Sequence, residues 1–272
     1  MSLRRTLALL ALLLLVSTIR AAAVAVSPVA VYIDHRERQG TLTLFNPGDR
    51  PEEIRIEFGF GYPVSDAEGN VTVPVVAEAP EGEPSAVHWL RAFPPRVRLE
   101  PGQRQVVRIL ARPPADLPEG EYWARALIRS RGGVAPLEER RGEVAVQIDV
   151  ETMTVVAVNY RNGAVATGLE VLGADLALVD GLAEVDLSLR RTGNAAFLGR
   201  VLVELVDADG RVVADREDVL AVYRDLRRRL RVPVPAGSRP VKARVRVDTR
   251  RDDLPARGAL PFEPAVLELP FR

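Results

Sequence analysis

The sequence predicts an all-β chain folded as two β-sandwich domains, and three observations carry that prediction. Short apolar runs with every second residue apolar recur along the chain, separated by turn residues drawn from 21 prolines and 20 glycines. No stretch of any length repeats its apolar residues at the 3.6-residue spacing of a helix. The chain has 272 residues and no cysteine, so stability must come from burial, and a length of this size suits two ordinary cores.

Residues 1–23 place Arg4 and Arg5 before an apolar core at 7–16, followed by Ala21, Ala22 and Ala23. That order of charge, apolar core and small residues predicts an export signal removed near Val24, since the core is too short to span a bilayer. The expected layout is then a signal at 1–23, a first sandwich at 24–160 and a second at 161–272. Formal charges balance at 37 against 37, and removing Arg4, Arg5 and Arg20 leaves 34 against 37. Nucleic acid is a poor partner for such a surface.

Residues 24–33 read as a first strand, and 40–45 as a second that ends in the turn Asn46-Pro47-Gly48-Asp49. At 53–58, Ile54, Ile56 and Phe58 alternate with charge, the pattern of a half-buried strand. Residues 59–84 carry Gly-Tyr-Pro, Glu-Gly-Asn and Glu-Gly-Glu-Pro and read as long exposed connections around a short strand at 71–76. Strands follow at 96–99, 103–110 and 121–128, the first two joined by Glu100-Pro101-Gly102.

The stretch 142–158 stands out. Val144, Val146, Ile148 and Val150 fall on one face of an extended chain, with Ala145, Gln147 and Asp149 on the other. From Val155 four apolar residues run together, which predicts passage into a junction covered on both sides. This reads as the last strand of the first domain. Beyond Asn162-Gly163, strands are expected at 184–189, 201–206, 211–214, 226–232, 242–247 and 266–269, with Asp207-Ala208-Asp209-Gly210 as a hairpin turn. Arg227-Arg228-Arg229 cannot share one face and reads as an edge protected from pairing.

The string Pro94-Pro95-Arg96-Val97-Arg98-Leu99-Glu100-Pro101-Gly102-Gln103, then Val107-Arg108-Ile109, Leu117-Pro118, Glu121-Tyr122-Trp123 and Val146-Gln147-Ile148 resembles the first domain of the periplasmic pilus-assembly chaperones, the PapD-like family, over about residues 24–161. The resemblance implies two immunoglobulin-like sandwiches set at an angle and no enzymatic activity. It also implies a periplasmic location and, as partners, exported pilin-like subunits and an outer-membrane usher. The last strand of domain one is lent to the subunit's sheet, strand addition with alternate side chains filling a groove. Mapped here, the partner-binding side chains are Val144, Val146, Ile148 and Val150, giving on the order of 5–10 kcal/mol before ordering costs. Read from alternation alone, the same residues fit this protein's own core as well.

The family's basic pair for the subunit's terminal carboxylate falls on Ala30 and Val155, neither of them basic, and the sole lysine is Lys242. Arg36 and Arg38 are the nearest substitutes. The resemblance also implies an interdomain ion network of Glu121, Arg161 and Asp252 or Asp253, since two carboxylates can share an arginine fork. Nothing points to catalysis, a metal or a cofactor. The two histidines are His35 and His88, adjacent strand residues such as Asp34 and His35 face opposite ways, and no Gly-x-Ser-x-Gly turn occurs. A two-domain surface protein of structural or adhesive role is the alternative reading.

Overall fold

A computed structural model describes residues 23–133, 137–141, 144–148 and 150–271, with strands 137–141 and 144–148 described in backbone only. The predicted export signal at 1–23 therefore lies almost wholly outside the described residues. Among the described residues, thirteen strands form the first half: β1 (Ala25–Ser27), β2 (Ala30–Asp34), β3 (Gln39–Phe45), β4 (Glu52–Gly59), β5 (Val64–Ser65), β6 (Val71–Thr72), β7 (Leu90–Phe93), β8 (Arg96–Leu99), β9 (Arg104–Ala111), β10 (Gly120–Arg131), β11 (Leu137–Arg141), β12 (Val144–Ile148) and β13 (Glu151–Asn162).

The period-2 alternation decides how they stack. In β3 and β9, Leu42, Leu44, Val107 and Ile109 are buried while Thr41, Arg104 and Arg108 face water. A sheet ordered β1-β3-β9-β7 lays this apolar face on the inner face of a second, ordered β2-β13-β10-β4-β8. Ile54, Ile56, Ala124, Ala126, Ile128, Val156 and Val158 complete one core. The first predicted strand is in fact two. Pro28, with no N–H to donate, follows β1, and the chain then leaves the first sheet for the second, where β2 runs parallel to β13.

The second half holds β14 (Thr167–Val179), β15 (Leu182–Gly193), β16 (Phe197–Asp207), β17 (Val212–Val222), β18 (Asp225–Pro233), β19 (Pro240–Asp248) and β20 (Ala265–Pro270). Sheets β14-β15-β18 and β17-β16-β19-β20 enclose a second core built from Val185, Leu187, Val203, Leu205, Leu230 and Val245. The chain is an all-β pair of sandwiches. The Asp207 turn forms as expected, its carboxylate accepting from the amides of Asp209 and Arg211 at 3.0 and 2.9 Å. Strand β14 was not expected, because Gly168, Gly173 and a register shift near Val171 interrupt its alternation.

Two expectations are corrected by packing. Residues 59–84 are not simply exposed connections: Phe60, Gly61 and Gly69 are buried, and the Ser65 hydroxyl accepts from the Arg227 amide at 2.8 Å. A β-carbon on Gly69, at φ +78°, would lie 2.8 Å from the Arg229 nitrogen, so the chain there approaches β18 as only glycine permits. The segment thus straps the first half to the outer strand of a sheet in the second. It also lies along the edge that Arg227-Arg228-Arg229 was expected to protect. Arg227 and Arg229 pair with Asp186 on one face and Arg228 with Asp218 on the other.

Candidate functional site

The stretch that the sequence singles out is broken in the structure. Strand β12 pairs antiparallel with β11 as a separate two-stranded ribbon, and β13 starts afresh at Glu151. Pairing runs Leu137↔Ile148 in the ribbon but Arg131↔Glu151 at the end of β10 and β13. The two registers differ by three residues, and Gly132, just past the end of β10, adopts a φ of +103°. Val144, Val146 and Ile148 lie on β12, and their side chains fall outside the described residues. Val150, just before β13, is exposed.

Strand β13 is the structural centre of the site. On one side it pairs with β10 along its whole length, whereas on the other β2 covers only 157–161. Among the described residues nothing pairs with that second side of 151–156. This open edge carries Met153 at 48% exposure and Val155 at 38%, two large apolar side chains on the same face. The face turned the other way leads through Thr152 and Thr154 into buried Val156 and Val158. Coverage therefore begins at Val156, one residue later than the apolar run at 155–158 suggests. Opposite Val155 on β10 stands Leu127, and opposite Met153 stands Arg129. Arg129 donates to Glu57 at 3.3 Å and to Glu151 at 3.0 Å. The Arg129 contact with Glu151, together with one from Arg131, holds the Glu151 carboxyl below its ordinary range.

The two positions where the family resemblance places its basic pair sit beside this edge. Ala30 is buried on β2 opposite Ala157, and Val155 lies just past the end of β2's cover. Arg36 and Arg38 belong to the turn after β2: the Arg36 amide donates to Asp34, and Arg38 donates to the His35 carbonyl at 3.1 Å. That turn lies beyond the covered end of β2, away from the open edge.

At the covered end the halves meet around Glu121. Its side chain is fully buried and accepts from Arg161 Nε at 2.8 Å, from Trp123 Nε1 at 3.0 Å and from the Ala196 amide at 3.0 Å. Arg161 also donates to the carbonyls of Arg257 and Gly258 and stacks 4.6 Å from the Tyr32 ring centre. Asp252 and Asp253 do not enter this network, contrary to the expected sharing. Asp253 takes both Arg251 contacts at 2.6 Å and Asp252 lies exposed in a turn, while backbone carbonyls supply the acceptors that Arg161 needs. Around the network, Trp123 packs edge-on at 4.8 Å against Tyr223, which stacks on Tyr62 at 5.9 Å. Ala196, Leu198 and Tyr223 of the second half belong to the first core. The junction is packed as an interior.

Three features had no counterpart in the sequence reading: the open edge at 151–156, the Tyr62–Trp123–Tyr223 cluster and Arg125, buried and donating to the Gly61 carbonyl at 2.7 Å. The first was detectable. Apolar residues occupy even positions through Val150 and odd positions at Met153 and Val155, a change of phase that marks a break in the strand.

No protein-family model and no curated protein sequence matches the chain. Solved structures do resemble it. They include the YadV chaperone (13% identity, 90% of this chain and 99% of that one, TM-score 0.49) and the Salmonella enterica SafA pilin in complex with the SafB chaperone (18%, 83% and 89%, TM-score 0.43). A third is the CsuC-CsuE chaperone–tip adhesion subunit complex of Acinetobacter baumannii (11%, 92% and 100%, TM-score 0.43). In each of the three the likeness extends over most of this chain.

Proposed function

We propose that this chain is a non-enzymatic, periplasmic chaperone-like protein that binds exported pilin-like subunits by strand complementation along β12 and β13. The observation that carries the reading is the open edge of β13. An unpaired strand edge offers a row of N–H and C=O groups to another chain, and proteins ordinarily cover or charge such edges. Here it carries Met153 and Val155 instead, and among the described residues it is uncovered. A partner strand would gain roughly 0.5–1.5 kcal/mol net per backbone hydrogen bond. Burying what remains exposed of Met153 and Val155 would add on the order of 1 kcal/mol each. Val144, Val146, Ile148 and Val150 would extend the same contact away from the junction.

The missing basic pair shapes the proposal. With Ala30 and Val155 at the expected anchor positions, affinity rests on groove filling and backbone pairing rather than on charge. Binding should therefore depend only weakly on salt, since screening acts on exposed charges. The test is co-expression with small exported subunits encoded beside the gene. The parent chain is expected to give a one-to-one complex on gel filtration. Val155→Arg or Ile148→Arg should reduce it at least about tenfold, the equivalent of about 1.4 kcal/mol, while the variant stays folded. Complex formation untouched by both substitutions would sink the reading. Absence of a complex with any such subunit would favour a structural or adhesive surface protein.

A further inference from the structure

A hollow of about 420 Å3 opens where the strap crosses onto the second half, lined by Tyr62, Val64, Arg190, Arg191, Arg224 and Asp225. Its three cations are not equivalent. Arg190 is held by Asp225 at 2.9 and 3.2 Å, two contacts that satisfy both charges. Arg224 donates one Nη to Glu83 at 2.8 Å, lies close enough to the Tyr62 hydroxyl to act on it, and is otherwise exposed. Arg191 makes no direct ion pair with a carboxylate among the described residues, although the charges of Glu121 and Glu83 act on it from farther off. It is partly buried, donates to the carbonyls of Tyr223 and Gly193, and lies 5.7 Å from the Trp123 ring centre, with Arg224 at 5.5 Å from the same ring. Burial, followed by the charge of Arg224, pulls the Arg191 guanidinium below its ordinary value. A half-buried cation with no directly paired carboxylate, beside a second cation and opening onto a hollow, is an arrangement that a bound anion would relieve.

We propose that this hollow is an oxyanion site, taking a carboxylate or phosphate group between Arg191 and Arg224, with Glu83 as the built-in competitor for Arg224. Planar guanidinium forks suit such groups. Because Tyr62, Val64 and Glu83 come from the first half and the arginines from the second, an occupant would tie the two together. This proposal does not depend on the chaperone reading.

The test is thermal melting and calorimetry of the purified chain with inorganic phosphate and with succinate, against sodium chloride at matched ionic strength. A saturable rise in Tm of about 3 °C is expected with at least one of the two anions and none with chloride. A response to phosphate alone assigns a phosphate group, and a response to succinate alone a carboxylate. Arg191→Gln and Arg224→Gln should each weaken binding at least about tenfold, whereas Glu83→Gln, which removes the competitor, should tighten it. The Glu83 variant keeps the test decisive if Arg191→Gln folds poorly. No saturable response to either anion, or binding that is indifferent to Arg224→Gln and Glu83→Gln, would overturn the site.

Discussion

The two ends of β13 are one strand under two different neighbours. From Ala157 to Arg161 the strand is paired on both sides, and its outward residues meet the second half: Asn159 lies under Tyr223 and Arg161 reaches Glu121, Arg257 and Gly258. From Glu151 to Val156 the same backbone is paired on one side only among the described residues, and its outward residues Met153 and Val155 are exposed. What separates a structural end from an available one is where β2 stops, a tertiary fact that side-chain pattern encodes only through the phase change before Met153.

If this contrast is right, substitutions at the covered end should cost stability and those at the open end should not. The largest effect is expected for Trp123→Ala, which empties the centre of the aromatic junction. It should cost roughly 3–5 kcal/mol in chemical denaturation. A cost below about 1 kcal/mol would mean that the halves meet loosely. Arg161→Met should cost about 3 kcal/mol, because Glu121 would remain buried without its cation.

A smaller, pH-dependent effect is expected at Glu52, near the root of the hairpin that leads to the open end. One of its oxygens accepts from Ser130, the other has no partner among the described residues, and burial raises its carboxyl above the usual range. With the folded-state value raised, the unfolded chain ionises first as pH rises, so this group weakens the fold above the ordinary carboxylate range. Glu52→Gln should therefore melt above the parent at neutral pH, and the gain should vanish below about pH 4. A constant difference across that interval would rule out the assignment. The smallest effect is expected for Val155→Arg, within about 0.5 kcal/mol of the parent, since the side chain is exposed. Collapse of that variant would place Val155 in a core and erase the contrast.

Much of the fold was legible because it depends on short-range pattern. Ile54 and Ile56, Val107 and Ile109, and Val185 and Leu187 alternate and are buried as alternation requires. Glu121 and Arg161 were named together from the family resemblance, and they meet. Asp252 and Asp253 were named with them and do not, because nothing in sequence separates a carboxylate acceptor from the carbonyls of Arg257 and Gly258. The strap at 59–84 looked like loop since Gly, Pro and Glu mark turns wherever they end up. The burial of Phe60 and Gly61, the Ser65 contact with Arg227 and the approach of Gly69 to β18 distinguish a docked segment from a free one. The open edge was legible only through the phase change between Val150 and Met153.

The central claim is that the unpaired side of residues 151–156 receives a partner's strand. Amide hydrogen exchange across β13, in the free chain and with a bound subunit, tests it directly. The account predicts that amides within 151–156 are slowed about a hundredfold on binding, equivalent to about 2.7 kcal/mol, while those of 157–161 scarcely change. Unaltered exchange at 151–156 in a formed complex would contradict it.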